Sequence, residues 1–141
     1  MTLISVAVCV RNGVDWIDGC MESLVKQSHS SLEIILVDDG STDGSQHKVK
    51  EWESHDFVTV INQKPLGLSA GRMSALQVAK GEWFAITDID VRPEADWIQR
   101  MLESSESREG EEVVAITGRT VFGQAKDIIS KIRSIEIESK Y

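Results

Sequence analysis

Strand-like apolar runs alternate with helix-like stretches along the whole chain: LISVAVCV (3–10), LEIILV (32–37), FVTVI (57–61), EWFAIT (82–87) and VVAITG (113–118). Between them, apolar residues recur at helical spacing, as in Ile17, Cys20, Met21, Leu24 and Val25, and more weakly around Val49 and Trp52. A β–α–β–α order with continuous rather than alternating apolar strands predicts an α/β fold: a mostly parallel sheet with flanking helices. KPLGLSAGRMSALQVAKG (64–81) reads as a loop, a Ser69 cap, a short helix and a stop at Gly81. A further helix is expected to begin near Glu94 and bury Trp97, Ile98, Met101 and Leu102. No Pro/Ser-rich linker or internal repeat interrupts the series.

The chain of 141 residues is long enough for about one domain with a sizeable core. With 23 acidic against 15 basic residues and no basic cluster, its net charge of -8 argues against a nucleic-acid surface. Cys9 and Cys20 stand among apolar positions and read as reduced core thiols, which suits a cytoplasmic location. No segment offers the roughly 20 apolar residues of a membrane span. His29, His47 and His55 lie in polar surroundings and read as surface imidazoles. Trp16, Trp52, Trp83 and Trp97 read as core or helix-packing aromatics.

Polar residues gather where the strands end. Asn12, the pair Asp38 and Asp39, and the pair Asp88 and Asp90 each follow the carboxyl end of an expected parallel strand, which is where open α/β sheets bind ligands. In AITDIDVRP (85–93) an apolar run ends in two carboxylates one residue apart. Alternation along an extended strand end points both to one face, so the pair needs a metal ion, an arginine or open water. Each feature also has a plainer meaning. DDGSTDG is rich in turn formers, Asp88-Ile89-Asp90 can cap the following helix, and Arg72 can be a solvated side chain. Gly67 and Gly71 flank a phosphate-loop-like helix start without a phosphate-loop motif.

Order and spacing together carry a resemblance to the family 2 glycosyltransferases, with the nucleotide-diphosphosugar-binding fold known as GT-A. ISVAVCVRNG resembles the family's first strand and asparagine turn, and EIILVDDGSTDGS its acidic turn. GLSAGRMSALQVAKGEWFAITDIDVRPEADWI resembles its arginine helix and D-x-D strand. The resemblance covers residues 3 to about 118. It implies a nucleotide-sugar-binding half over 1–118 and the start of an acceptor-side segment over 119–141. That segment reads as an amphipathic helix carrying Ile128, Ile132 and Ile135, and implies a longer natural protein.

By resemblance, Val10, Arg11 and Asn12 with Asp38 and Asp39 hold the base and ribose. Gly67 belongs to the nucleotide site, Arg72 reaches the diphosphate, Asp88 the ribose or metal, and Asp90 the divalent cation, Mn²⁺ or Mg²⁺. The implied reaction moves a sugar from a nucleoside-diphosphate sugar, UDP-sugar favoured, to a glycan, lipid-linked or other hydroxyl acceptor, with inversion and metal dependence. A longer protein would act in the cytoplasm or at the cytoplasmic face of a membrane. Cys9, Val10 and Arg11 stand where the family often has Pro-Thr-Tyr, and Met73 where it often has asparagine. No residue is assigned as catalytic base, since Glu136 and Glu138 fit a solvated helix face. Two alternatives stand beside the transferase: an inactive nucleotide-binding module, and a receiver-type signalling domain. A receiver would place its acidic pair after the first strand, where this chain has Arg11-Asn12.

Overall fold

A computed structural model of the chain describes residues 1–107 and 113–118. Four strands, β1 (Ile4–Val10), β2 (Leu32–Asp39), β3 (Val58–Gln63) and β4 (Trp83–Asp88), alternate with α1 (Val14–Val25), α2 (Ser45–Trp52), α3 (Leu68–Val78) and α4 (Trp97–Glu106). The sheet is wholly parallel in the order β3-β2-β1-β4. The chain divides into two compact units, Met1–Glu103 and Ser104–Tyr141. Among the described residues no helix is long and apolar enough to cross a membrane.

The two-residue period of the strands sorts the core. Even-numbered Ile4, Val6, Val8 and Val10 of β1, with Ile34 and Leu36 of β2, pack with Ile17, Cys20, Met21 and Leu24 of α1, Val49 of α2 and Ile98 of α4. Odd-numbered Ala7, Ile35 and Val37 pack with Ala75 of α3 on the other face, beside Cys9, Ile61 and Phe84. Both faces are thus covered, as the uninterrupted apolar strands require.

Several expectations are corrected. Val113–Gly118 forms no strand, and Val114 is 82% exposed. A short apolar run is a strand only where a ladder partner receives it, and periodicity cannot supply that partner. Ser69 does not cap α3: the N-cap is Gly67, at φ 94°, and the amides of Leu66 and Gly67 are taken by Asp39 instead. Nor does Gly81 end that helix, which closes at Ala79. A Cβ on Gly81 would lie 2.5 Å from the Ser5 nitrogen and 2.8 Å from the Leu3 carbonyl, so this glycine serves the close approach of the chain to β1. Helix α4 begins at Trp97, after a turn in which the Trp97 amide donates to Glu94 O at 2.9 Å. Of its expected buried set only Ile98 is fully enclosed. Val25 and Trp16 are exposed rather than packed. His29 is buried, with Nε2 at 2.8 Å from Thr2 O, so it is not a surface imidazole. The cysteines are free, as expected, although Cys9 is only half-buried. Glu136, Glu138 and the helix expected over 119–141 lie outside the described residues.

Candidate functional site

Strand register brings the polar residues level with one another. Val10 pairs with Asp38, Cys9 with Asp88, and Asp39 with Gln63, so four strands end at one edge of the sheet. The turn after β1 and the GSTDGS loop after β2 are then tied together. Asn12 adopts a left-handed conformation at φ 54°, an uncommon one that asparagine tolerates better than most residues. Its amide donates to Ser41 Oγ at 2.9 Å, and its Oδ1 accepts from the Thr42 amide at 2.7 Å. The Gly13 amide donates to Ser45 Oγ, and the Val14 amide to Asp43 Oδ2, each at 3.1 Å. These are the first amides of α1, which has no local side-chain cap, so the β2–α2 loop caps α1 from across the sequence. The Ser45 hydroxyl donates to Asp43 Oδ1 at 2.6 Å and leads the bonds that hold the Asp43 carboxyl below its usual range.

The two adjacent aspartates meet different partners, because successive strand residues face opposite sides. Asp38 is buried and accepts from the Ser41 amide at 3.3 and 3.4 Å. Asp39 is also buried, and it is heavily engaged. Its Oδ1 accepts from the Leu66 amide at 2.8 Å and Gln63 Nε2 at 2.7 Å, and its Oδ2 from the Gly67 amide at 2.8 Å. The Leu66 amide first, then Gln63, hold its carboxyl below the usual carboxylate range. Its charge sits at the positive end of α3, where the helix dipole favours it.

Helix α3 carries Arg72 one turn further in. Gly71 lets the helix come close to β1, since a Cβ there would lie 3.0 Å from Cys9 Sγ. The Arg72 guanidinium reaches the end of β4, with Nη2 at 3.1 Å from Asp88 Oδ1. This ion pair supplies Asp88 with the arginine foreseen as one of three possible counter-charges. The Arg72 Nε–H is shielded from solvent and meets no acceptor among the described residues. Asp90 is not on the strand end. β4 closes at Asp88, the Val91 amide turns back to Asp88 O at 3.0 Å, and Asp90 lies exposed in that turn.

No group of three His, Cys, Asp or Glu side chains among the described residues is placed to hold a metal ion. Two exposed carboxylates at Asp88 and Asp90 still suit Mg²⁺ or Mn²⁺ in one respect. Such ions are commonly held by one or two carboxylates, with phosphates and water completing the shell. Arg11 is exposed, and its charge helps keep Asp39 ionised. Asp43, Ser41, Ser45 and Gln63 were not singled out from the sequence. The turn-forming string DDGSTDGS was the available signal, but capping across 29 residues, from Asp43 to Val14, leaves no local pattern.

A model of the family described as Glycosyl transferase family 2 matches residues 5–139. The glycosyltransferase EpsJ of Bacillus subtilis is 31% identical over 89% of this chain and 36% of its own length. The cholesterol galactosyltransferase of Borreliella burgdorferi is 34% identical over 68% of this chain and 27% of its own. The chain therefore spans about a third of such relatives. Among solved structures, the mannosyltransferase PcManGT from Pyrobaculum calidifontis, in complex with GDP-Man and Mn²⁺, superposes with a TM-score of 0.69. It is 28% identical over 74% of this chain and 32% of its own. TarS of S. aureus, in complex with UDP-GlcNAc, superposes at 0.67 with 22% identity over 80% of this chain and 37% of its own, a likeness of fold.

Proposed function

The chain belongs to glycosyltransferase family 2, and on that premise we propose that its strand-end edge binds a nucleoside-diphosphate sugar for transfer to a hydroxyl acceptor. The observation that carries the proposal is Arg72: one guanidinium nitrogen is held by Asp88 while its Nε–H, out of water, lacks an acceptor among the described residues. A buried donor left unpaired costs about 1–3 kcal/mol, and a diphosphate oxygen would relieve that cost with a charge-assisted bond. The complex of PcManGT with GDP-Man and Mn²⁺ supports the same ligand class.

In this proposal the backbone of Val10–Asn12 and the carboxylates of Asp38 and Asp39 border the base and ribose. A carboxylate has about four lone-pair sites, so Asp39 retains capacity beyond its three protein donors. It would accept the ring N–H of uracil, which favours a UDP-sugar, or that of guanine. Gly67 and Arg72 orient the diphosphate. Asp88 and Asp90 would hold Mn²⁺ or Mg²⁺, which neutralises charge on a departing diphosphate when bound. Arg72 contributes a fixed positive charge on the same side, and the protein's part is thus to position the donor for displacement with inversion.

Calorimetric titration with UDP, GDP and CDP in the presence of Mn²⁺ tests the proposal. UDP or GDP should bind about tenfold more tightly than CDP, whose cytosine has no ring N–H and can offer a carboxylate only its exocyclic amino group, at a different position. Arg72→Ala should weaken the favoured nucleotide about ten- to a hundredfold. Equal affinities for all three nucleotides would remove Asp39 from base recognition, and an unaffected Arg72→Ala variant would remove the diphosphate assignment.

A further inference from the structure

Gly19 occupies the middle of α1, a position where glycine costs a helix roughly 1 kcal/mol relative to alanine. The space its missing side chain leaves is filled. A Cβ on Gly19 would fall against Arg92 Nε, 2.6 Å from Nη2 and 2.7 Å from Cζ. The guanidinium of Arg92 therefore rests on the helix backbone, and the exposed Trp16 ring lies one turn before Gly19 with its centroid 5.8 Å from Cζ. From this seat Nη1 donates to two carbonyls, Ile89 O at 3.2 Å and Val91 O at 3.0 Å. Those carbonyls belong to the residues on either side of Asp90.

We infer that Arg92, seated on Gly19 and Trp16, is a positioning residue that fixes the turn presenting Asp90. The inference rests on the reading of Asp90 as a metal-facing carboxylate. An exposed aspartate in a turn has no hold of its own on direction, and every flanking peptide that rotates carries the carboxylate with it. A single nitrogen bonded to the Ile89 and Val91 carbonyls ties the peptide that enters Asp90 to the one that leaves Val91, while the peptide between them is held by the Val91 amide on Asp88 O. The guanidinium suits this task because its planar fork keeps one face on α1 while Nη1 points to the turn. The same contacts account for a glycine inside a helix and for a tryptophan on the surface, neither of which the core requires.

The test compares UDP affinity with and without Mn²⁺ in the 141-residue chain and in Arg92→Ala, Arg92→Lys and Gly19→Ala variants, together with their melting temperatures. Gly19→Ala is the decisive variant, because the methyl group meets the far end of a flexible side chain and displaces it at little cost. The helix itself gains propensity. The expected result is an unchanged or raised melting temperature together with an about tenfold loss of the Mn²⁺-dependent gain in UDP affinity, metal-free affinity staying within about twofold. Arg92→Ala should show the same loss, and Arg92→Lys an intermediate one. Full Mn²⁺ dependence in both Gly19→Ala and Arg92→Ala overturns the inference. So does an equal loss with and without metal, which would mark a general structural role. A wild-type chain whose UDP affinity ignores Mn²⁺ instead overturns the metal reading of Asp90 on which the inference rests.

Discussion

Asp39 joins stability to site geometry through a single carboxylate. It accepts from two amides at the head of α3 and from Gln63, so Asp39→Ala leaves three donors unpaired in a buried place. The expected cost is about 1–3 kcal/mol for each donor that water does not reach, and so at least that much at neutral pH, read as a lower melting temperature. Its folded-state pKa is lowered, so the carboxylate stabilises the fold above its unfolded value of about 4, and that contribution fades as pH falls through the lower folded value. The gap in melting temperature between wild type and Asp39→Ala should therefore be full at pH 7 and shrink below about pH 4. A gap that stays constant down to pH 2 would mean that the charge has no part in holding α3.

Helix α3 shows how an element's seat fixes a functional side chain. Gly71 lies against Cys9, and the residue after it is Arg72, so any lift of the helix moves the guanidinium away from Asp88. Gly71→Ala brings a methyl group to 3.0 Å from Cys9 Sγ, and overpacking of this kind typically costs 1–3 kcal/mol, offset in part by about 1 kcal/mol of helix propensity. Cys9→Ala removes the sulfur that the methyl group meets. The double variant should thus be more stable than the two separate effects would add up to, with a coupling of about 1 kcal/mol in denaturant unfolding. Strict additivity would show that α3 does not rest on Cys9. The existence of α3 was legible in the sequence, although the two signals that marked it, a Ser69 cap and a stop at Gly81, do not bound it. Its cap was not, because the capping carboxylate, Asp39, lies 28 residues from Gly67.

For the Met1–Glu103 unit, the alternation of apolar runs with helical spacing was enough to foresee a parallel sheet covered on both faces, and four of five expected strands are present. The fifth run, Val113–Gly118, has strand composition without a strand, since pairing is a tertiary property. The candidate site was legible as a set of positions: Asp38, Asp39 and Asp88 do lie at strand ends on one sheet edge and Asn12 follows β1, whereas Asp90 lies in the turn beyond β4. Its wiring was hidden, because Asn12 to Ser41, Asp39 to Leu66 and Arg72 to Asp88 are contacts between loops and helices that no local pattern records. We propose that this edge binds a nucleoside diphosphate and a divalent cation as one ligand pair, each strengthening the other by linkage. The most direct measurement is calorimetric titration of UDP into the wild type and Asp90→Asn, each with and without Mn²⁺. Mn²⁺ should tighten UDP binding at least about tenfold in the wild type, and Asp90→Asn should abolish most of that gain while leaving metal-free binding intact. UDP binding of equal strength with and without Mn²⁺ in the wild type would contradict the account.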